Sequence, residues 1–186
     1  MSTTALVISQ AEERMKKTLV QLQREFQSIR TGRANPSILD RVEVDYYGTA
    51  TLLKSLANIS TPDGRSLLIQ AYDKSCLKEI EQAIHKSDLG LTPTTDGAVI
   101  RINIPQPTEE RRKEMVKVVK KYGEEARIAL RNIRRDAADE LKKLKGTQVS
   151  EDELKREEEH LQKVVDKYAK EIDKHVHDKE TEVMAV

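Results

Sequence analysis

The chain has 186 residues, enough for one or two small domains with cores of their own. It holds one cysteine, Cys76, and no tryptophan, so an internal disulfide is excluded and an aromatic platform for stacking single-stranded bases is not expected. A net charge of +1 hides a strong asymmetry: residues 106–145 carry 13 Lys/Arg against 8 Asp/Glu, whereas residues 146–186 carry 7 against 12.

The N-terminal segment has a short apolar patch, Ala5 to Ile8, but no basic leader or long apolar run. It does not read as a secretory signal. No stretch approaches the length of a membrane span, so a cytoplasmic protein is expected. Residues up to about Arg30 predict a helix, with Ile8, Ala11, Met15, Leu19, Leu22, Phe26 and Ile29 spaced by threes and fours. Gly32 and Pro36 end it.

From Thr31 to Pro105 the periodicity changes. Val42, Val44 and Tyr46 alternate with acidic residues, and Ile100, Ile102 and Ile104 alternate with Arg101 and Asn103. Both patterns predict strands with one buried face, and Leu67-Leu68-Ile69 predicts a third. Turn signals occur at Thr61-Pro62-Asp63-Gly64 and Thr95-Asp96-Gly97. A helix among the strands has Ser75 as its expected cap, Leu77, Ile80 and Ile84 on its apolar side, and Gly90 beyond its end.

The helical period returns from Thr108 to about Lys145, a span of ~57 Å. Thr108 is the expected N-cap, followed by Glu109 and Glu110. Met115, Val119, Tyr122, Ala126, Ala129, Ile133, Ala137 and Leu144 trace the expected buried face. Gly146 breaks the helix. Ser150 and Glu153 then form a capping box for a third helix, with Leu154, Leu161, Val165, Tyr168 and Ile172 on its stripe.

None of these three long helices can bury its stripe alone. The expected fold class is therefore α+β. Residues 1–30 and 106–186 form an elongated three-helix bundle, and residues 31–105 form a small inserted domain. Two crossings join them, Arg30-Thr31-Gly32 and Ile104-Pro105-Gln106-Pro107, and the pair reads as a hinge.

Arg127, Arg131, Arg134 and Arg135 fall within roughly a quarter-turn of the second long helix, away from its apolar stripe. Lys113, Lys117, Lys120, Lys142 and Lys145 extend the same face, and Glu124 and Ala138 interrupt it. The planar guanidinium fork suits phosphate, so this rail is the candidate polyanion site. Pairing with the acidic third helix is the alternative reading. Arg30 and Arg33 add charge near the hinge.

No catalytic constellation is evident. His85, His160, His175 and His177 are scattered, and the last two lie about 200° apart on a helix, so no metal site is expected. Cys76 falls in the first turn of the inserted helix, a place that can favour a thiolate, but with no base identified beside it a structural cysteine is expected. Phosphate-binding glycine loops are absent from the sequence, so no nucleotide cofactor is expected. An enzyme acting in an interdomain cleft and a helical adaptor for acidic proteins are the rival classes.

The segments Ile29-Arg30-Thr31-Gly32-Arg33-Ala34-Asn35-Pro36, Tyr46-Tyr47-Gly48, Ser87-Asp88-Leu89-Gly90-Leu91, Thr108-Glu109-Glu110-Arg111-Arg112 and Arg131-Asn132-Ile133-Arg134-Arg135-Asp136 resemble, in order, the signatures of ribosome recycling factors. The resemblance runs from about Ala11 to the C-terminus. It implies an L-shaped molecule: a three-helix bundle hinged to a β/α/β domain. It implies a translation factor, not an enzyme. Such a factor splits the post-termination ribosome with the GTPase elongation factor G, and an initiation factor then keeps the subunits apart. It implies contact between the bundle and large-subunit ribosomal RNA at the intersubunit face, with Arg134 important there. Arg30, Arg33, Arg127, Arg131 and Arg135 join it as expected RNA contacts. A monomer without cofactor is expected.

Overall fold

A computed structural model of the chain describes residues 3–185. In chain order its elements are helix α1 (Thr3–Gln27), strands β1 (Glu43–Tyr46) and β2 (Thr49–Leu52), and the short helix α2 (Leu53–Leu56). Strands β3 (Ala57–Ser60) and β4 (Ser66–Ala71), helix α3 (Leu77–Lys86), and strands β5 (Pro93–Asp96) and β6 (Val99–Asn103) follow. Helices α4 (Glu109–Lys143) and α5 (Glu151–Met184) complete the chain. The chain forms two compact units: the described residues up to Arg30 with those from Thr108 onward, and Thr31–Pro107.

The first unit is a bundle of α1, α4 and α5, each packed on the other two. Its core takes Val7, Ala11, Met15, Leu22 and Phe26 from α1. From α5 it takes Leu154, Leu161, Val165, Tyr168 and Ile172, the stripe read from spacing, together with Val176 and Val183. The buried face of α4 departs from the sequence reading. Met115, Val119, Ala126, Ile133 and Ala137 are buried as expected, but Gly123, Leu130 and Leu141 take the places assigned to Tyr122, Ala129 and Leu144. Tyr122 and Leu144 are half-buried at the edge of this core. The stripe is therefore turned toward the arginines. Gly123 permits it: a Cβ there would lie 2.6 Å from Val176 Cγ2, so α4 and α5 approach where α4 has no side chain.

Helix ends follow their caps. Thr108 accepts from the Arg111 amide at 3.2 Å, with Glu109 and Glu110 in the positive first turn. Ser150 and Glu153 form the reciprocal capping box expected of α5. α1 ends at Gln27, three residues before Arg30: the last α-type bond runs from the Ser28 amide to Arg24 O, the Ile29 amide then takes Phe26 O in a tighter turn, and the Ser28 hydroxyl donates to Glu25 O.

The second unit contains a β1–β2 hairpin and a four-stranded antiparallel sheet in the order β3-β4-β6-β5. The register sets Leu67 opposite Ile102 and Ile69 opposite Ile100, and all four side chains are fully buried. Ile80 and Ile84 of α3 complete this core with Val44 and Leu53. Strands β2, β3 and β5 lie outside the sequence reading. Each has four residues and lacks a clean apolar alternation. The expected cap Ser75 is also corrected. Asp73 caps the short 3-10 turn before α3, accepting from the Ser75 amide at 3.0 Å and the Ser75 hydroxyl at 2.6 Å.

Gln106 and Pro107 belong with this sheet unit. Gln106 Nε2 donates to Gly32 O at 3.0 Å, so the two crossings touch. Gly32 has φ +80°, and a Cβ there would lie 2.6 Å from Pro107 Cδ. Glycine is required both by the backbone angle and by the approach. Ile104 is tied to the sheet, its amide bonding Arg65 O at 3.0 Å and its side chain packing on the core.

Candidate nucleic-acid interface

Four arginines of α4 were placed on one face by spacing, and the structure grades them by how far each is already engaged. Arg127 is the most engaged. Its Nε and Nη2 both donate to Asp173 Oδ1 on α5, at 3.0 and 2.8 Å, and its Nη1 lies 3.7 Å from Glu124. Only 34% of its side chain is exposed. The placement of Arg127 away from the apolar stripe is corrected: the turned stripe brings it to the edge of the α4–α5 contact. The alternative use of the rail, pairing with the acidic third helix, is realised at this position.

Arg131 is 64% exposed and donates from Nη2 to Glu124 Oε1 at 3.3 Å. It too is paired, though by a carboxylate of its own helix. Arg134 and Arg135 are exposed and have no ion-pair partner among the described residues. Their guanidinium groups keep their full donor capacity for an incoming phosphate. Asp136, the next residue, turns the other way and binds Arg14 of α1 at 3.1 Å. That pair ties the motif to the rest of the bundle.

The lysines extend the face unevenly. Lys117, Lys120 and Lys142 are exposed on α4, while Lys113 pairs with Glu109 at 3.6 Å. Lys145 lies beyond the end of α4 and pairs with Glu151 at 3.3 Å. Arg30 is exposed in the bundle unit, past the end of α1, whereas Arg33 is exposed in the sheet unit. Sequence reasoning missed the two acidic partners. Glu124 was legible as a break in the rail, three residues before Arg127. Asp173 had no local signal, since its pair with Arg127 forms only when α4 and α5 pack.

The other groups weighed from sequence lie elsewhere. Cys76 is buried in the sheet unit, and burial, with the nearby Asp73 carboxylate, pushes its thiol above the usual range. That agrees with the structural cysteine expected and goes against its rival, a favoured thiolate. His85, His160 and His175 each lie near a glutamate of the same helix, at 4.0, 3.7 and 4.0 Å. Among the described residues no three His, Cys, Asp or Glu side chains converge as a metal site, and no helix is long and apolar enough to cross a membrane.

The fold and this surface define a class: a two-unit α+β protein in which a helical bundle displays a cationic helix face. The ribosome recycling factor family model matches residues 22–184. The ribosome-recycling factor of Desulforamulus reducens is 57% identical over 180 residues, covering 97% of this chain and 98% of the relative. That of Bacillus subtilis is 55% identical over 181 residues, with 97% and 98% covered. A solution structure of a ribosome recycling factor aligns over the whole of both chains with a TM-score of 0.72 and 40% identity. Another aligned structure has a TM-score of 0.61 and 43% identity over all of both chains. It comes from models of the T. thermophilus ribosome recycling factor and E. coli elongation factor G bound to the E. coli post-termination complex. The chain belongs to the ribosome recycling factor family.

Proposed function

We propose that this chain releases ribosomes from mRNA after termination, splitting the post-termination complex together with elongation factor G. Family membership supports the recycling role, and the pairing with that GTPase is carried over from the T. thermophilus factor. The bundle docks on large-subunit ribosomal RNA at the intersubunit face through the arginine face of α4. Phosphate contacts of this kind fix position and orientation without reading sequence. Arg134 and Arg135 make the primary contacts, Arg131 joins them, and Arg127 supports the face from its pair with Asp173. Arg30 adds charge from the bundle unit and Arg33 from the sheet unit.

The observation that carries this reading is the exposure of Arg134 and Arg135 with no ion-pair partner among the described residues. Chemical energy enters through the GTPase, and this chain acts sterically in the cytoplasm, not as an enzyme. The crossings at Arg30-Thr31-Gly32 and Ile104-Pro105-Gln106-Pro107 transmit motion of the sheet unit to the contacts between subunits. An initiation factor then holds the subunits apart. A polysome-breakdown assay with and without the GTPase tests the whole. Parent protein with GTPase is expected to convert polysomes to subunits, and Arg134→Ala to fail. Equal breakdown by both proteins rejects the arginine face as the docking surface.

A further inference from the structure

One carboxylate stands within the arginine face. Glu124 lies about 60° around the helix from Arg127 and about 20° from Arg131, on the arc that also holds Arg135. Its Oε1 accepts from Arg131 Nη2 at 3.3 Å, and its Oε2 lies 3.7 Å from Arg127 Nη1. The two arginines do not depend on it equally. Arg127 has the shorter bond to Asp173, at 2.8 Å, whereas Arg131 has no other acceptor among the described residues. Arg131 sits seven residues after Glu124, so its side chain reaches back along the helix toward the N-terminus to make the contact.

A carboxylate held by a guanidinium occupies the position a phosphate oxygen would take, since both are recognised by the same planar fork. Glu124 is 52% exposed, so solvent lets it swing away once a phosphate competes. As a helix-stabilising pair it is worth little, because both side chains are largely exposed and solvent screens their attraction. As a negative charge on a cationic docking face it has two effects. It must be displaced from Arg131, and it repels the phosphates that Arg135 and its neighbours attract.

We propose that Glu124 is a built-in phosphate mimic that weakens docking on ribosomal RNA and speeds release of the protein. This rests on the arginine-face reading above. Glu124 sets how long the chain stays bound, as suits a factor that must leave before acting again.

Binding of the full chain to isolated large subunits tests this across a salt series, with dissociation followed by stopped-flow light scattering. Glu124→Gln keeps the side-chain size and removes the charge. It is expected to tighten binding about three- to tenfold, chiefly through slower dissociation, and to steepen the salt dependence. Glu125→Gln makes the same change in net charge one residue on, about 100° around the helix, where the carboxylate has no ion pair among the described residues. It is expected to leave affinity within about twofold. Equal tightening by both variants overturns the proposal in favour of a general charge effect. Unchanged or weaker binding of Glu124→Gln, in a protein whose circular dichroism is normal, also overturns it. Arg134→Ala separates the two readings. If it weakens binding while Glu124→Gln does nothing, only the role of Glu124 falls. If it too leaves binding unchanged, the RNA-docking reading falls first.

Discussion

Arg127 on α4 grips a single oxygen of Asp173 on α5 with two nitrogens, at 3.0 and 2.8 Å. Because the pair joins two helices, its expected effect is on the bundle. Asp173→Ala is expected to lower unfolding free energy by about 0.2–1 kcal/mol, the range for a partly exposed pair. A double-mutant cycle with Arg127→Ala, measured by urea denaturation, isolates the coupling. A coupling near zero would show the pair to be energetically idle.

Arg134 gives the opposite pattern. Arg134→Ala is expected to remove about 1–3 kcal/mol of ribosome-binding free energy while leaving the fold unchanged, since the side chain is exposed and has no ion-pair partner among the described residues. Sedimentation with large subunits, alongside circular dichroism, measures both. A folded variant that binds like the parent would remove this residue from the interface.

The approach of α4 to α5 at Gly123 makes a sharper structural prediction. Gly123→Ala gains helix propensity but places a methyl 2.6 Å from Val176 Cγ2. A net loss of about 1–3 kcal/mol is expected, as for an overpacked core. Val176→Ala in the same chain is expected to recover much of that loss, because the added and deleted groups compete for one space. Thermal unfolding of the single and double variants decides it, and additive losses would contradict the steric account.

Tyr168 carries a pH dependence. Its hydroxyl donates to Glu12 at 3.0 Å, and burial, with that bond and the nearby glutamate charges, pushes its pKa from 10.0 up to about 12. Between those values the unfolded chain releases the phenol proton and the folded chain keeps it. The unfolded state then binds fewer protons, so this contribution to stability is full below pH 10.0 and is lost as pH rises through about 12. Tyr168→Phe is expected to flatten the decline over that window. An equally steep decline in the variant would assign it to other groups.

Gly32 tests the crossing. Gly32→Ala meets both φ +80° and a 2.6 Å contact with Pro107 Cδ. The left-handed angle alone costs about 1–2 kcal/mol. Thermal unfolding is expected to show at least that loss, and an unchanged midpoint would mean that the crossing relaxes without strain.

The features legible in the sequence were those with long periodic signals or local capping chemistry. The stripe of α5 from Leu154 to Ile172 and the Ser150–Glu153 box are of this kind. So are Ile100 and Ile102, buried on one face of β6. What escaped depended on packing. On α4, spacing gives the core to Tyr122 and Ala129 and passes over Gly123 and Leu130, because glycine carries no hydropathic signal and the direction of the α5 contact is not local. The strand β2 leaves Thr49, Ala50 and Leu52 exposed, so burial does not stamp an alternating pattern on it. At the candidate site the arginines were legible as a cluster. Their graded engagement was not, since Asp173 reaches Arg127 only across two packed helices.

The bundle is also discontinuous in time. Synthesis proceeds from the N-terminus, so α1 is made before the whole of Thr31–Pro107, while both helices that cover Met15, Leu22 and Phe26 come after it. The sheet unit has no such wait: its interior strand β6 is the last of its elements, and its partners β4 and β5 already precede it. A nascent chain therefore completes the inserted unit first, while α1 keeps an apolar stripe without its final partners until α4 and α5 emerge. Premature termination between Pro107 and Ser150 would yield a sheet unit with all its elements, attached to a helix whose core partners are incomplete. Truncated products of this kind are expected to engage chaperones through α1.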